Sequence, residues 1–177
     1  QALAQVGYNV ISNDIAHWSE VCAKCFLLHK KDKKYYQDII NELNSLKGYS
    51  GWFTEHYGGD EAMETKMPFQ IKNTKKLDAI RDKIDELKLN HIDKSVVLTS
   101  LMLALDAVDS TIGHFASYLS MWSDRSYHDL LLKVPELKKT NGQHKVLRED
   151  IFDVIKNNSF DIAYFDPPYG SNNEKMP

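Results

Sequence analysis

Phe160-Asp161-Ile162-Ala163-Tyr164-Phe165-Asp166-Pro167-Pro168-Tyr169-Gly170 is the stretch that decides the fold, because an apolar run ends there in an acid, two prolines, an aromatic ring and a glycine. The run predicts a buried parallel strand, since strands covered on both faces need not alternate. The prolines end the strand because neither can donate a hydrogen bond to a sheet ladder. Asp166 and Tyr169 are therefore expected just beyond the carboxyl end of a strand, where open α/β sheets bind their ligands.

The loop after this strand offers a specific set of chemical groups. The Asp166 carboxylate and the Pro167 carbonyl are hydrogen-bond acceptors outside any regular ladder. Pro168 keeps the turn rigid, and Tyr169 supplies a flat face. Such a site suits a planar group with an exocyclic amine, because it holds both amine protons and stacks the ring. The alternative is an ordinary proline-rich turn after a core strand.

A second segment, residues 7–15, is a short β-rich run that ends in Asp14 and precedes a helical pattern. In Rossmann-like cofactor folds, an acid at the end of the second strand accepts hydrogen bonds from ribose hydroxyls. The alternative is that Asn13 or Asp14 caps the following helix.

A third segment, residues 145–155, has the pattern of a short strand, an acidic turn and the start of a helix. Asp150 and Ile151 lie at the turn. Asp153 follows as a further polar candidate, or as a first-turn acid favoured by the helix dipole.

With these segments in this order, the chain resembles the amino-methyltransferases that use S-adenosylmethionine, whose hallmark loop is Asp/Asn/Ser-Pro-Pro followed by Tyr, Phe or Trp. In that family the Asp form is typical of N6-adenine methylation of DNA, the Ser form of N4-cytosine methylation, and the Asn form also of protein-glutamine methylation. The arrangement is that of the Dam-like (alpha-group) adenine enzymes. It implies an α/β fold with a Rossmann-like methyltransferase sheet, S-adenosylmethionine as methyl donor, and double-stranded DNA with a flipped-out adenine as substrate.

The resemblance also implies roles for individual residues. Asp14 would bind the cofactor ribose, and Asp150 would accept a hydrogen bond from the cofactor's adenine amino group, with Ile151 against the ring. The catalytic residues would be those that hold the amine of the target base and stack on it: Asp166, Pro167, Pro168 and Tyr169.

Other functions stay open on the sequence alone. One is another amino-methyltransferase, acting on RNA adenine, cytosine N4 or a protein glutamine. A second is a catalytically silent fragment that grips DNA. A third is a purely structural helical protein, in which the Asp-Pro-Pro-Tyr loop is a coincidence.

Residues 16–140 form an insert that we expect to be mostly helical and to recognise the target, while residues 1–15 and 141–177 form part of the catalytic domain. Apolar positions at helical spacing predict helices over residues 18–28, 36–46, 77–87 and 97–112. Gly48 would end the second helix, Asn73 or Thr74 would cap the third, and residues 51–59 would be a loop. Related adenine enzymes carry an aromatic residue before an Asn-x-x-x-Ile-Asp-x-x-Arg helix, which residues 69–81 resemble.

The family's glycine-rich motif, usually Phe-x-Gly-x-Gly, does not occur in these 177 residues. Residues 1–6 look like the tail of the helix that follows this motif, closed by Gly7. We therefore expect a fragment of a longer methyltransferase, whose activity on its own is open. In this fold the first strand lies between the second and the fourth. Its place would be filled by other residues, by rearrangement or by self-association.

Composition fits a soluble domain, and the family suggests the cytoplasm of bacteria or a phage-encoded enzyme. The apolar runs fall short of the ~20 residues that cross a membrane. Cys22 and Cys25 are expected to be buried reduced thiols rather than half a zinc site, so no metal is expected.

The net charge of −3 hides local basic clusters. One lies at residues 29–36, with four lysines and two tyrosines. Another combines Lys66, Lys72, Lys75 and Lys76. Phosphate binding needs local cations rather than a basic total, although a lysine run is often only a solvated helix face. Arg125 is a further candidate for a DNA contact or a structural one.

Overall fold

The computed structural model describes residues 1–60, 67–113, 119 and 121–166. Its elements follow in chain order: α1 (Ala2–Gln5), β1 (Ile11–Asn13), α2 (His17–Leu28), α3 (Lys33–Ser45), α4 (Trp52–Tyr57), β2 (Gly58–Gly59), β3 (Phe69–Gln70), α5 (Ile71–Glu86), α6 (His91–Asp106), a 3-10 helix (Asp124–Tyr127), β4 (Lys145–Leu147) and α7 (Ile151–Asn157).

The described strands form two small parallel pairs. β1 pairs with β4, with Ile11 opposite Lys145 and Asn13 opposite Leu147. β2 pairs with β3 inside the helical region. Mixed helices and strands with small parallel sheets are consistent with part of a methyltransferase fold, and both strands predicted before the acidic turns are confirmed.

The four helices predicted from apolar periodicity are confirmed as α2, α3, α5 and α6, with shifted ends. α5 begins at Ile71 with Gln70 as its N-cap, so the prediction that Asn73 or Thr74 caps it is wrong. α6 ends at Asp106, earlier than predicted. α3 ends at Ser45. Gly48 instead lies against α5, where an added Cβ would come within 2.8 Å of the Lys75 backbone.

The main hydrophobic core lies among α3, α5, α6 and the segment 130–132. Its buried members span residues 40–132: Ile40, Leu43, Phe69, Leu77, Ile80, Ile84, Val97, Leu101, Ala104, Val108, Leu130 and Leu132. A smaller cluster of Cys25, Tyr36 and Val96 joins α2 to α3 and α6. None of the helices in the described ranges is both long and apolar enough to cross a membrane.

The prediction that residues 51–59 form a loop is wrong, because they contain α4 and β2. The physical reason is that the start of α4 is capped by a side chain that is distant in the sequence. Asp78 of α5 accepts hydrogen bonds from the Gly51 and Phe53 amides at 2.9 and 2.8 Å, which satisfies the free N–H groups at the start of α4.

The prediction that residues 160–165 form a buried strand is also wrong. The run has no regular secondary structure, and Ile162 and Tyr164 are 80% and 88% exposed. In the expected sheet, this run would pair with the first strand of the fold, which lies between the second and the fourth. Among the described residues, no strand pairs with this run. Without a ladder partner and a layer on each face, the apolar side chains have nothing to pack against.

Candidate functional site

The parallel pairing of β1 and β4 brings two acidic turns to one edge of the sheet. Asn13 and Leu147 are register partners at the carboxyl ends of the two strands. Asp14 follows the first strand directly, and Asp150 follows the second by three residues. Carboxyl ends of parallel strands are where α/β sheets bind ligands, so this edge is the candidate site.

The Asn13 side chain ties the two turns together. Its Nδ2 donates to the Glu149 carbonyl at 3.1 Å, and its Oδ1 accepts from the Glu149 amide at 3.1 Å. The side-chain amide thus continues the ladder between β1 and the turn of β4 by one further pair of hydrogen bonds. Sequence reasoning considered Asn13 only as a helix cap. The signal it missed is that an amide carries both a donor and an acceptor, which suits a backbone partner.

The opposite end of the strand pair is closed by similar contacts. The Asn9 Oδ1 accepts from the Gln143 amide at 2.8 Å, and the Val10 amide donates to His144 Nδ1 at 3.2 Å. Gly142 adopts a φ of +132°, and an added Cβ there would lie 2.8 Å from Asn9 Oδ1. These contacts hold three-residue strands in register even though the pair is short.

Asp14 is an exposed, ionised carboxylate. Its Oδ1 accepts from the Ala16 amide at 2.9 Å, just before α2 begins. This hydrogen bond, followed by one from Ser19, lowers the pKa of Asp14 below its ordinary value. The N-cap of α2 is Ala16, so the alternative that Asn13 or Asp14 caps this helix is wrong, although Asp14 accepts from the amide of the N-cap residue. A carboxylate has about four lone-pair sites, so the same group still suits ribose hydroxyls.

Asp150 is the N-cap of α7. Its Oδ1 accepts from the Phe152 amide at 2.8 Å. Beside it Ile151 is 39% exposed and Phe152 is 70% exposed, which leaves apolar surface next to the acid. Asp153 lies in the first turn of α7, and its amide donates to the Asp150 carbonyl at 3.1 Å. The contact of Asp150 and Ile151 with a cofactor adenine stays a prediction.

A polar contact fastens α2 to the β4 turn. Glu20 of α2 accepts from Lys24 at 2.6 Å, and Arg148 approaches the other Glu20 oxygen at 3.7 Å. The hydrogen bond from Lys24 is the main reason why the pKa of Glu20 is lowered, and the charge of Arg148 adds to it. The first helix after Asp14 is thereby held against the strand that leads to Asp150.

The catalytic loop is described only at its first residue. Asp166 is exposed at the end of the apolar run. Pro167, Pro168 and Tyr169 lie outside the described residues. The pairing that brings Asp14 and Asp150 to one edge does not extend to Asp166, so the role of this loop stays a prediction.

Two polar residues of α5 organise the helical region. The buried Asn73 donates to the His128 carbonyl at 3.0 Å and accepts from the Leu130 amide at 2.9 Å. Asp78 holds α4, as described above. The Asn and Asp positions of the recognised helix pattern therefore stabilise the insert in this structure.

Arg125 also has a structural role. Its guanidinium forms an ion pair with the buried Asp109 carboxylate, and its Nε donates to the Asp109 carbonyl at 3.0 Å. Ser123 adds a hydrogen bond to the same carbonyl at 2.8 Å. These contacts join the end of α6 to the 3-10 helix.

Both cysteines are free thiols, as predicted. Cys25 is fully buried, and this burial raises the pKa of its thiol to about 12. Cys22 is half-buried.

A parallel strand pair with an acid after each strand is typical of α/β proteins, a class that binds ligands at the carboxyl ends of its strands. The chain belongs to the D12 class N6 adenine-specific DNA methyltransferase family, whose model matches residues 1–176.

Three relatives with curated names are methylases or methyltransferases. "Modification methylase StsI" of Streptococcus sanguinis is 28% identical over 93% of this chain and 27% of its own length. "Type II methyltransferase M.NlaIII" of Neisseria lactamica is 28% identical over 92% of this chain and 49% of its own. "Ribosomal RNA large subunit methyltransferase K/L" of Hahella chejuensis is 33% identical over 40% of this chain and 9% of its own. No solved structure matches the chain.

Proposed function

We propose that this chain is part of a site-specific DNA adenine N6-methyltransferase, which transfers a methyl group from S-adenosylmethionine to a flipped-out adenine in double-stranded DNA. The observation that carries the proposal is the Asn13 clamp, which holds the turns of Asp14 and Asp150 at one sheet edge in a chain of this family. We further propose that the enzyme acts in the cytoplasm, where its substrate lies.

The residues at this edge fit the nucleoside end of the cofactor. Ribose hydroxyls and an adenine amino group are hydrogen-bond donors, and both Asp14 and Asp150 offer acceptors. The exposed Ile151 side chain suits the face of an adenine ring. Bound S-adenosylmethionine supplies a methyl group on a positively charged sulfur. The chain's own contribution at this edge is to bind and orient the cofactor.

The catalytic loop would act on the target base. Asp166 and the Pro167 carbonyl would accept the two hydrogens of the N6 amine and fix the orientation of its nitrogen. Tyr169 would stack on the extruded base and return about 1–3 kcal/mol of the free energy lost on flipping. Positioning and charge complementarity would provide the rate enhancement, without a covalent nucleophile.

We propose two parts: residues 1–15 and 141–177 belong to the catalytic domain, and residues 16–140 form a recognition insert. Two observations support this division. β1 pairs with β4 across the whole insert. All members of the main core lie between Ile40 and Leu132. α2 belongs to the insert by sequence but packs against both β4 and α6, so this helix forms a contact between the two parts.

Methyl transfer from labelled S-adenosylmethionine to DNA tests the proposal, with the full-length protein and with these 177 residues in parallel. Digestion of the product should yield N6-methyladenine. Asp166→Ala should abolish transfer and retain cofactor affinity within about threefold, whereas Asp161→Ala is the matched control on the same run. A folded Asp166→Ala variant that loses cofactor binding as completely as transfer would contradict the catalytic role.

Calorimetric titration of S-adenosylmethionine tests the cofactor edge separately. Asn13→Ala removes both clamp hydrogen bonds and should weaken binding about tenfold or more, because about 1.4 kcal/mol corresponds to a factor of ten. Asn41→Ala is the control, since Asn41 is exposed on α3. Equal affinities for the two variants would show that the clamp does not organise the site.

An RNA substrate is the second candidate, because one relative is named as a ribosomal RNA methyltransferase. That similarity covers 40% of this chain, against more than 90% for the two modification enzymes. Competition between duplex DNA and RNA of the same sequence in the transfer assay separates the two. Preferential methylation of RNA would overturn the DNA proposal.

Self-association to complete the sheet is proposed on the exposed apolar surface. The side chains concerned belong to the two ends of the chain: Ile15, Trp18, Phe152, Phe160, Ile162, Tyr164 and Phe165. Large apolar side chains that are exposed to this degree would lose water contact in an interface between two copies. Light scattering on a size-exclusion column should show a dimer of the 177-residue chain, and a monomer at high micromolar concentration would contradict it.

A further inference from the structure

Four lysines lie in and beside the turn between α2 and α3: Lys30, Lys31, Lys33 and Lys34, which we name the lysine turn. All four side chains are exposed. Within the described part of the chain none of them forms an ion pair, and Lys31 instead lies 5.5 Å above the Tyr35 ring. Asp32 is the only acid among residues 29–35, so an excess of positive charge remains there.

Several basic side chains elsewhere in the described residues are neutralised by ion pairs inside the protein. Lys72 forms an ion pair with Asp129 at 2.7 Å, Lys94 with Asp85 at 2.6 Å, and Lys83 with Glu42 at 3.1 Å. Lys76 donates to the carbonyls of Asn44, at 2.7 Å, and Leu46. The second cluster that the sequence suggested is thus partly used for folding. Among the described residues, the four lysines of the lysine turn form a basic cluster without ion pairs, so their charges stay available to a ligand.

Hydrogen bonds fix the backbone of the lysine turn and the start of α3. Asp32 caps α3 by accepting from the Tyr35 amide at 2.8 Å. The Tyr36 hydroxyl donates to the buried Asp93 carboxylate of α6 at 2.8 Å. Tyr35 reaches the same carboxylate at 3.4 Å, and Asn90 donates to it at 2.6 Å. Both tyrosines are therefore anchored to α6, and this fixes the start of α3, the helix that carries Lys33 and Lys34.

The position of these lysines is unfavourable for the helix. Lys33 and Lys34 open α3, whose first turn has no acid. Cations near a helix N-terminus oppose the macrodipole at a cost of about 0.3–1 kcal/mol each. The same N-terminus attracts anions, so a bound phosphate would remove the conflict. Violations of local preference of this kind are typical of functional positions.

We propose that the lysine turn binds the phosphate backbone of the DNA substrate. The proposal rests on the proposed function, and it adds a contact surface outside the cofactor edge. α2 has 12 residues, so it places the turn about 18 Å from the Asp14 end of the same helix. That distance corresponds to about five base pairs of a duplex, given one phosphate per ~3.4 Å on each strand. The contact would fix the register of the duplex without reading its sequence.

Salt dependence of DNA affinity tests this proposal. The variant replaces all four lysines of the turn by glutamine, and the control replaces four exposed lysines elsewhere, Lys47, Lys88, Lys133 and Lys139. Both variants have four fewer positive charges than the wild type. Fluorescence anisotropy with a labelled duplex of about 25 base pairs gives the dissociation constant between 50 and 200 mM NaCl.

The plot of log affinity against log salt has a negative slope, and its magnitude should fall by about 0.9 for each phosphate that the protein no longer neutralises. We therefore expect a decrease in magnitude of about 2–4 for the turn variant and of less than 1 for the control. If all four lysines neutralise a phosphate, their removal would eliminate about a hundredfold of the affinity change between the two salt concentrations. Replacing the four lysines by arginine should preserve the slope. Equal slopes for the turn variant and the control would overturn the proposal.

Two further readouts separate failure of this proposal from failure of the proposed function. Cofactor binding and the identity of the methylated product should be unchanged in the turn variant, while the KM for DNA rises. If wild-type protein methylates DNA and the turn variant has the same KM and slope, only the lysine turn is refuted. If wild-type protein binds structured RNA more tightly than duplex DNA, both proposals fail.

Discussion

Replacing Asp78 by alanine should destabilise the protein by about 3 kcal/mol, because this carboxylate is the cap of a helix that is distant in sequence. Asp78 is 4% exposed. It accepts from the amides of Gly51, Phe53 and Thr54 at 2.8–3.0 Å and from the Thr54 hydroxyl at 2.6 Å. Alanine leaves all four donors without this acceptor.

The magnitude follows from which donors water can reach. Gly51 and Phe53 are half-buried, so water can replace part of their hydrogen bonding, whereas Thr54 is 7% exposed. An unsatisfied buried donor costs about 1–3 kcal/mol, and the two donors of Thr54 therefore dominate the destabilisation. For a domain of this size, 1 kcal/mol corresponds to about 2–4 °C, so Tm should fall by about 6–12 °C.

The destabilisation should depend on pH. Burial raises the pKa of Asp78, but the hydrogen bonds from Thr54, Phe53 and Gly51 outweigh it and keep the pKa below its ordinary value of 3.8. A group with a depressed pKa in the folded state stabilises above its unfolded pKa, and this stability is lost as the pH falls through the folded value. The difference between wild type and Asp78→Ala should be complete at pH 7 and shrink below about pH 4.

Thermal unfolding by circular dichroism at pH 7 and at pH 3.5 measures both effects. Asp82→Ala is the matched control, because Asp82 lies one turn later on the same helix and accepts only an exposed hydrogen bond, from the Tyr49 hydroxyl. Its destabilisation should stay near or below about 1 kcal/mol. Amide hydrogen exchange should show that α4 loses protection in the Asp78 variant. If the Asp78 and Asp82 variants unfold at the same temperature, or if α4 stays protected, the argument that a distant carboxylate holds this helix is wrong.

Three further outcomes follow from the structure. Gly58→Ala should lower the stability by about 2 kcal/mol or more in a denaturant titration, because the new Cβ would lie 2.6 Å from the Thr54 carbonyl oxygen. Alkylation followed by mass spectrometry at pH 8 should modify the half-buried Cys22 well before Cys25, whose pKa is raised to about 12 by burial, and equal rates would contradict that burial. Tyr36→Phe should destabilise by about 1.5–3 kcal/mol because it removes the hydrogen bond to the Asp93 carboxylate, whereas a change below about 0.5 kcal/mol would show that this hydrogen bond does not anchor α3.

Four helices, α2, α3, α5 and α6, were predictable because each carries a stripe of apolar residues that packs on other helices. The residues at which these helices begin and end were harder to predict. Asn73 has the side chain of a cap, and yet it lies inside α5 and binds the backbone of the segment 128–130. Polar residues that serve a partner far along the chain have no local signature, and this also explains why α4 was missed.

The apolar run before Asp166 illustrates a different limit. Its apolar residues, interrupted only by Asp161, predict that these side chains are buried against other parts of a protein. The run itself does not specify which segments bury them. A parallel strand depends on ladder partners contributed by other segments, so its formation is a property of the sheet and cannot be derived from the run itself.

α2 connects the two surfaces that the proposed enzyme would use. It begins near Asp14, at the edge assigned to the cofactor, and it ends at Leu28, with His29 as its C-cap next to the lysine turn. Glu20 fixes its first half to Arg148 after β4, and Cys25 packs with Val96 of α6 in its second half. A helix held at both ends transmits position with little freedom. The register of a DNA backbone on the lysines would thus be defined relative to the methyl donor by one rigid element, and a net charge of −3 does not oppose this, because the cations are concentrated where that element ends.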